Sequence, residues 1–144
     1  MNHFKKPLRV LLVEKDQQDI FLIKGMLRDT GFDLQITVSE SGQKALQMLN
    51  RAIGGHDRRI DLVILDLDLP DVNGLEILSY MKSMRGIQMI PVLVMTHSLD
   101  KDEEMRAMGM GAVDYIIKPS CHAEFQAMLD RIMGELGKLD DVAP

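Results

Sequence analysis

Apolar residues along this chain fall into two alternating patterns. Five short runs, LRVLLV (8–13), LQITVS (34–39), DLVILD (61–66), PVLVMT (91–96) and AVDYII (112–117), have strand length and are rich in Val, Ile and Leu. Between them lie longer segments with helical spacing. QDIFLIKGMLRDT carries Ile20, Ile23, Met26 and Leu27 on one stripe and stops at Gly31. SGQKALQMLNRAI repeats that pattern up to Gly54-Gly55, and GLEILSYMKSM follows a Pro-Asp-Val-Asn-Gly turn. LDKDEEMRAMGMG opens with acids that suit the positive end of a helix and breaks at its glycines. A last helix, from about Ala123 to Leu139, gathers Phe125, Leu129, Ile132, Leu136 and Leu139 on one face. Strands alternating with helices predict an α/β fold, a doubly wound parallel sheet covered on both sides. Ligands of such sheets gather at the carboxyl ends of strands, near the topological switch point.

The 144 residues, 46% of them apolar, suit one compact core. The expectation is a single domain over 1–144, its core spanning about 8–139 and 140–144 forming a tail. A net charge of -5 argues against general attraction to nucleic acid or an anionic membrane. Arg58 and Arg59 read as part of a solvated loop. No apolar run approaches the ~20 residues that cross a bilayer, and MNHFKKPLRVLLVEK lacks the pattern of a secretory signal. Cys121 is the only cysteine, so no internal disulfide forms, in keeping with an expected cytoplasmic location. The twelve methionines read mainly as core filler rather than as a binding surface.

The strand ends carry the candidate chemistry. The first ends at Glu14, Lys15 and Asp16, the third at Asp66 with Asp68 two residues on, the fourth at Thr96, and the fifth just before Lys118-Pro119. Converging, they would put carboxylates, a hydroxyl and an ammonium in one crevice. An aspartate can attack phosphorus, carboxylates and a carbonyl can hold Mg²⁺, and a hydroxyl and an ammonium can meet charge on phosphoryl oxygens.

On VEKD, DLVILDLDLPDVNG, PVLVMT and GAVDYIIKP, in this order and spacing, the chain resembles the receiver domains of two-component response regulators, from about Leu8 to Leu139. The resemblance implies a flavodoxin-like (βα)5 fold with strand order 2-1-3-4-5. It implies Asp66 as phosphoacceptor, Thr96 and Lys118 as its catalytic companions, and Thr96 and Tyr115 as the switch pair. It further implies Mg²⁺ held by Glu14, Asp66 and the backbone carbonyl of Asp68, and a cis peptide before Pro119. A histidine kinase or histidine phosphotransfer protein becomes the implied donor. The signal would leave by contact with a target or a second copy through the fourth helix, fifth strand and fifth helix. No DNA-binding module follows, so no nucleic-acid partner is expected. The loop RAIGGHDRRI and the helix opening DQQDIFLIK resemble stand-alone regulators associated with phytochrome-type kinases.

Lys15 departs from the family, which places a second, metal-binding acid there. The exchange alters local charge by two units, each worth roughly 4 kcal/mol at ~4 Å and an effective dielectric of 20. Asp16 is a candidate for the vacancy. Three readings compete: Lys15 pairs with Asp66 or Glu14 and partly replaces the metal, or its stem turns to solvent and a weakened Mg²⁺ site survives, or it is a bystander in a degenerate site. His97, where the family prefers a small residue, reads either as a guard at the entrance or as a solvent-facing loop residue. Gly74 reads as a turn residue needing an unusual backbone angle.

Two enzymatic or cofactor classes compete with a phosphorylatable receiver and with a phosphorylation-independent pseudo-receiver. DLDLPD also resembles the D-x-D pair of haloacid-dehalogenase-type phosphatases, but no acidic motif on a further strand follows Lys118. A flavodoxin-like cofactor binder would need a Gly-, Ser- or Thr-rich loop where EKDQQD stands.

Overall fold

The computed structural model describes residues 7–54, 59–118 and 122–142, with side chains described as far as Leu136. The elements are β1 (Leu8–Val13), α1 (Gln17–Arg28), β2 (Leu34–Ser39), α2 (Gly42–Ile53), β3 (Leu62–Leu65), α3 (Gly74–Ser83), β4 (Val92–Thr96), α4 (Lys101–Gly109), β5 (Asp114–Ile117) and α5 (His122–Val142). All strands pair in parallel in the order β2-β1-β3-β4-β5. This is the receiver topology that the alternating pattern and the family resemblance led us to expect.

Side-chain alternation in the strands divides the interior in two. Leu11, Val13, Val63 and Leu65 face a core completed by Leu49 of α2 and by Ile77, Leu78 and Met81 of α3. Val10, Leu12, Ile64 and Met95 face the other, completed by Ile20, Ile23 and Leu27 of α1 and by Phe125, Leu129 and Ile132 of α5. Burial on both faces explains why β1, β3 and β4 read as continuous apolar runs. β2, at an edge, instead alternates half-buried and exposed positions.

Three strands are shorter than their apolar runs, each for a local reason. Asp61 stays outside β3 because its carboxylate takes the Arg9 N–H at 2.8 Å and the Arg59 guanidinium at 2.9 Å. Pro91 has no N–H to give β4. Ala112 donates instead to the Ala107 carbonyl, closing α4, so β5 begins later. At the other end of the chain α5 extends through Val142, so Asp140 and Asp141 are helical rather than part of a tail. The methionines do not share one role. Met81, Met95 and Met133 are buried, as expected of core filler, whereas Met89, Met105 and Met108 are exposed.

Helix starts follow their side chains. Asp16, Ser41, Asn73 and Asp100 cap α1, α2, α3 and α4, each accepting a backbone N–H of the first turn. A second, non-local cap comes from Asp71, whose two carboxylate oxygens accept Gly42 N–H at 2.8 Å and Gln43 N–H at 3.0 Å. These bonds hold its carboxyl below the usual range. They also tie the loop after β3 to α2. Gly74 is required for a reason other than the one the sequence suggests. It does not take a left-handed backbone angle; a Cβ there would lie 2.6 Å from Leu67 Cα and 2.8 Å from the Asp66 carbonyl oxygen.

Candidate functional site

Register alone assembles the site. Val13 pairs with Leu65, so the next residues, Glu14 and Asp66, emerge side by side where the chain crosses from one side of the sheet to the other. Thr96 pairs with Ile117, so Lys118 leaves β5 beside the end of β4, its N–H bonded to the Thr96 carbonyl at 2.7 Å. Glu14, Asp66, Thr96 and Lys118 are all buried, unusual for residues of these types.

Lys118 is the centre of the cluster. Its ammonium donates to Glu14 Oε1 at 2.5 Å, to Asp19 Oδ2 at 2.9 Å and to Asp66 Oδ2 at 3.1 Å, which uses all three N–H groups. The second oxygens of Glu14 and Asp66 serve the backbone. Glu14 Oε2 accepts the N–H groups of Lys15 and Asp16 at 3.1 and 3.2 Å, and Asp66 Oδ1 accepts Asp68 N–H at 3.0 Å. Burial works against the charge on Lys118, but its hydrogen bonds to Glu14 and Asp19 and the field of Asp66 prevail, so it stays protonated far above neutral pH. Burial raises the Glu14 carboxyl above its ordinary range, against the bond to Lys118 and helped by the negative charge of Asp66.

Lys15 does not join this cluster. Its ammonium lies 3.2 Å from Asp68 Oδ2 at the rim, with both side chains well exposed. The pairing with Asp66 or Glu14 is therefore corrected: Lys118 already occupies the space between those carboxylates, and a second ammonium there would meet like charge. Asp16 does not turn into the vacancy either, because its Oδ1 caps α1 by accepting Asp19 N–H at 3.0 Å. His97 is exposed, with Nε2 3.3 Å from Asp19 Oδ2. The Thr96 hydroxyl oxygen accepts Ser98 N–H at 3.2 Å and lines a cleft of about 400 Å³ with Leu67, Asp68, Asn73, His97 and Glu103. Tyr115 is half-buried against the α3 side of the core, and its hydroxyl oxygen is buried. Burial, then the carboxylates of Glu103, Glu104 and Asp100, raise its pKa. The Lys118-Pro119 peptide falls outside the described residues.

The sequence reading missed Asp19. It sits three residues after the cap residue Asp16, where an acid usually reaches back to the cap N–H. Here Glu14 takes that N–H instead, and the Asp19 carboxylate is free to turn inward.

A parallel sheet in this order, with buried carboxylates and a buried lysine gathered at its carboxyl edge, defines a flavodoxin-like α/β fold of the receiver type. The response regulator receiver domain model matches residues 10–130, and the chain belongs to that family. The putative two-component response regulator ARR20 of Arabidopsis thaliana is 36% identical over 115 residues, 79% of this chain but 24% of that protein. The probable methanogenesis regulatory protein FilR2 of Methanothrix harundinacea is 33% identical over 126 residues, 88% of this chain and 81% of that one. This chain thus spans about a quarter of one curated relative and most of the other. Among solved structures, the phosphorylated cyanobacterial phytochrome response regulator RcpA is 26% identical, with a TM-score of 0.74 over 88% of this chain and 91% of its own. The Mn²⁺-bound response regulator Rcp1 is also 26% identical, with a TM-score of 0.75 over 89% and 93%. The family acts in two-component signal transduction. No helix among the described residues is long and apolar enough to cross a membrane.

Two carboxylates of the donor set are of the kind a hard divalent cation takes, but the Lys118 ammonium bridges them. Among the described residues no group of three acids, histidines or cysteines is placed to hold a metal. Glu14 and Asp66 come together on the Lys118 ammonium, and Mg²⁺, commonly held by one or two carboxylates with water and phosphoryl oxygens, would have to share these carboxylates with it.

Proposed function

We propose that this chain is a phosphorylatable switch, taking a phosphoryl group onto Asp66 from a histidine kinase or a histidine phosphotransfer protein. The supporting observation is the buried Asp66 carboxylate with the Lys118 ammonium 3.1 Å away. In the transfer, an Asp66 oxygen attacks phosphorus, the O–P bond forms, the donor's N–P bond breaks, and the electron pair leaves with the imidazole. Lys118 meets the charge on the phosphoryl oxygens in a site that water reaches poorly. The Thr96 hydroxyl accepts Ser98 N–H, which leaves its own proton to donate to a phosphoryl oxygen. Glu14, Asp66 and the Asp68 carbonyl would hold Mg²⁺, which when bound supplies further neutralisation of the phosphoryl oxygens.

Movement of Thr96 toward the acyl phosphate opens space for Tyr115 to turn inward and reshapes α4, β5 and α5. Leu99, Met105, Met108 and Val113 are exposed on and around α4 and the start of β5, an apolar surface suited to a protein target or a second copy. The replacement of an acid by Lys15 supports a second reading, a receiver that docks its partner without phosphorylation. Incubation with acetyl phosphate and Mg²⁺, followed by intact mass, separates the two. Gain of one phosphoryl group that Asp66→Asn abolishes supports the first; no gain under any metal condition supports the second.

A further inference from the structure

We propose that Asp19 is a positioning residue of the site: it supplies the negative charge that position 15 lacks and holds the Lys118 ammonium on Asp66. The inference rests on Asp66 being the phosphoacceptor.

The argument begins with the start of α1. Asp16 caps the helix by accepting Asp19 N–H, and in such a pattern the Asp19 carboxylate would ordinarily bond back to the cap N–H. Glu14 Oε2 already accepts that N–H, so half of the reciprocal cap is given over to the end of β1. The released carboxylate turns toward the sheet, and its Oδ2 lies 2.9 Å from Lys118 Nζ and 3.3 Å from His97 Nε2. Three carboxylates, those of Glu14, Asp19 and Asp66, then surround one ammonium. An acid at position 15 in place of Asp19 would restore the third carboxylate, and because the Lys15 cation would be lost with it, the local charge would be one unit more negative.

The rim is self-neutralising. Lys15 and Asp68 pair with each other, so the unusual cation adds little field to the interior. Asp19 also determines geometry. A lysine ammonium on its flexible stem has three rotatable donors, and only with Asp19 are all three spoken for. Without it, the head is free to tilt from Asp66 toward Glu14.

The test compares wild type, Asp19→Asn and Asp19→Asn combined with Lys15→Asp. The first readout is the ammonium signal of Lys118 in protein labelled with ¹⁵N-lysine, assigned by its loss in Lys118→Arg. The second is the rate of phosphorylation by acetyl phosphate with Mg²⁺. In Asp19→Asn the ammonium signal shifts and broadens through faster proton exchange. Phosphorylation slows by about 10- to 100-fold, the kinetic equivalent of one hydrogen bond to a charged group. The thermal midpoint serves as a control for folding. In the double variant the rate recovers toward wild type, because the acid is back beside the pocket. An unchanged ammonium signal in a folded Asp19→Asn protein overturns the positioning role. A double variant as slow as Asp19→Asn overturns the charge replacement. If wild type takes up no phosphoryl group, the phosphoacceptor reading fails, while the ammonium signal still decides what Asp19 holds.

Discussion

Residues 14 and 15 are neighbours in the chain, and 66 and 68 flank one turn, yet the ion pairs they form lie in different media. Lys118 and Asp66 have side chains 4% and 3% exposed, whereas Lys15 and Asp68 are 43% and 75% exposed. The contacts are of similar length, 3.1 and 3.2 Å, so distance cannot rank them. Burial can. The inner ammonium was stripped of water and is held only by carboxylates, so its loss leaves uncompensated charge. The outer pair merely exchanges water for a partner. A cation in the loop after β1 is therefore compatible with a working site, provided it stays in the outer medium.

The largest effect should come from emptying the inner pair. Lys118→Met leaves three carboxylates around an apolar stem, and urea unfolding at neutral pH should show a loss of about 3–5 kcal/mol. A loss no larger than that of a surface substitution would contradict the contrast between the two media. Next comes Gly74→Ala. Its methyl would strike the Leu67 backbone and the Asp66 carbonyl, so α3 or the loop carrying Asp66 must move, at a cost of about 1–3 kcal/mol. Amide shifts should place the disturbance at Asp66 and Leu67 rather than along α3.

The pH dependence of stability resolves two of the three acids on Lys118. Glu14 has a raised pKa, first through burial, so its contribution is full below the ordinary carboxyl pKa and is lost as pH rises through the higher folded value. Asp19 is the opposite case. Burial pushes its carboxyl up, but Lys118 and then His97 bring it below the ordinary value. Its contribution is present above the ordinary pKa and is lost as pH falls through the depressed folded one. Denaturant midpoints measured from acid to neutral pH should therefore lose part of their acid limb in Asp19→Asn, and lose a decline on the higher side in Glu14→Gln. The smallest effect is expected from Lys15→Ala, under about 1 kcal/mol and diminished further by salt.

Much of this was legible in the sequence because periodicity and strand order require no knowledge of rotamers. Buried strands announced themselves as apolar runs, and the polar residues that ended them proved to be adjacent once the register was known. What could not be read was direction. Nothing in VEKD says whether a lysine stem turns in or out, and only the presence of Lys118 between Glu14 and Asp66 decides it. Asp19 was hidden by a local signal of equal strength, since D-x-x-D at a helix start already has a capping explanation. Gly74 illustrates the same limit: its neighbours in sequence suggested a backbone angle, while a contact with residues 66 and 67 is what excludes a side chain.

The most direct test of a functioning inner site beneath an altered rim is phosphoryl uptake at Asp66. Wild type, Lys15→Ala and Asp66→Asn are incubated with acetyl phosphate and Mg²⁺ and followed by intact mass. Wild type and Lys15→Ala should each gain a single phosphoryl group, with the modified peptide containing Asp66, and Asp66→Asn should gain none. Uptake in Lys15→Ala with none in wild type would mean that the rim cation disables the site, and would contradict the account.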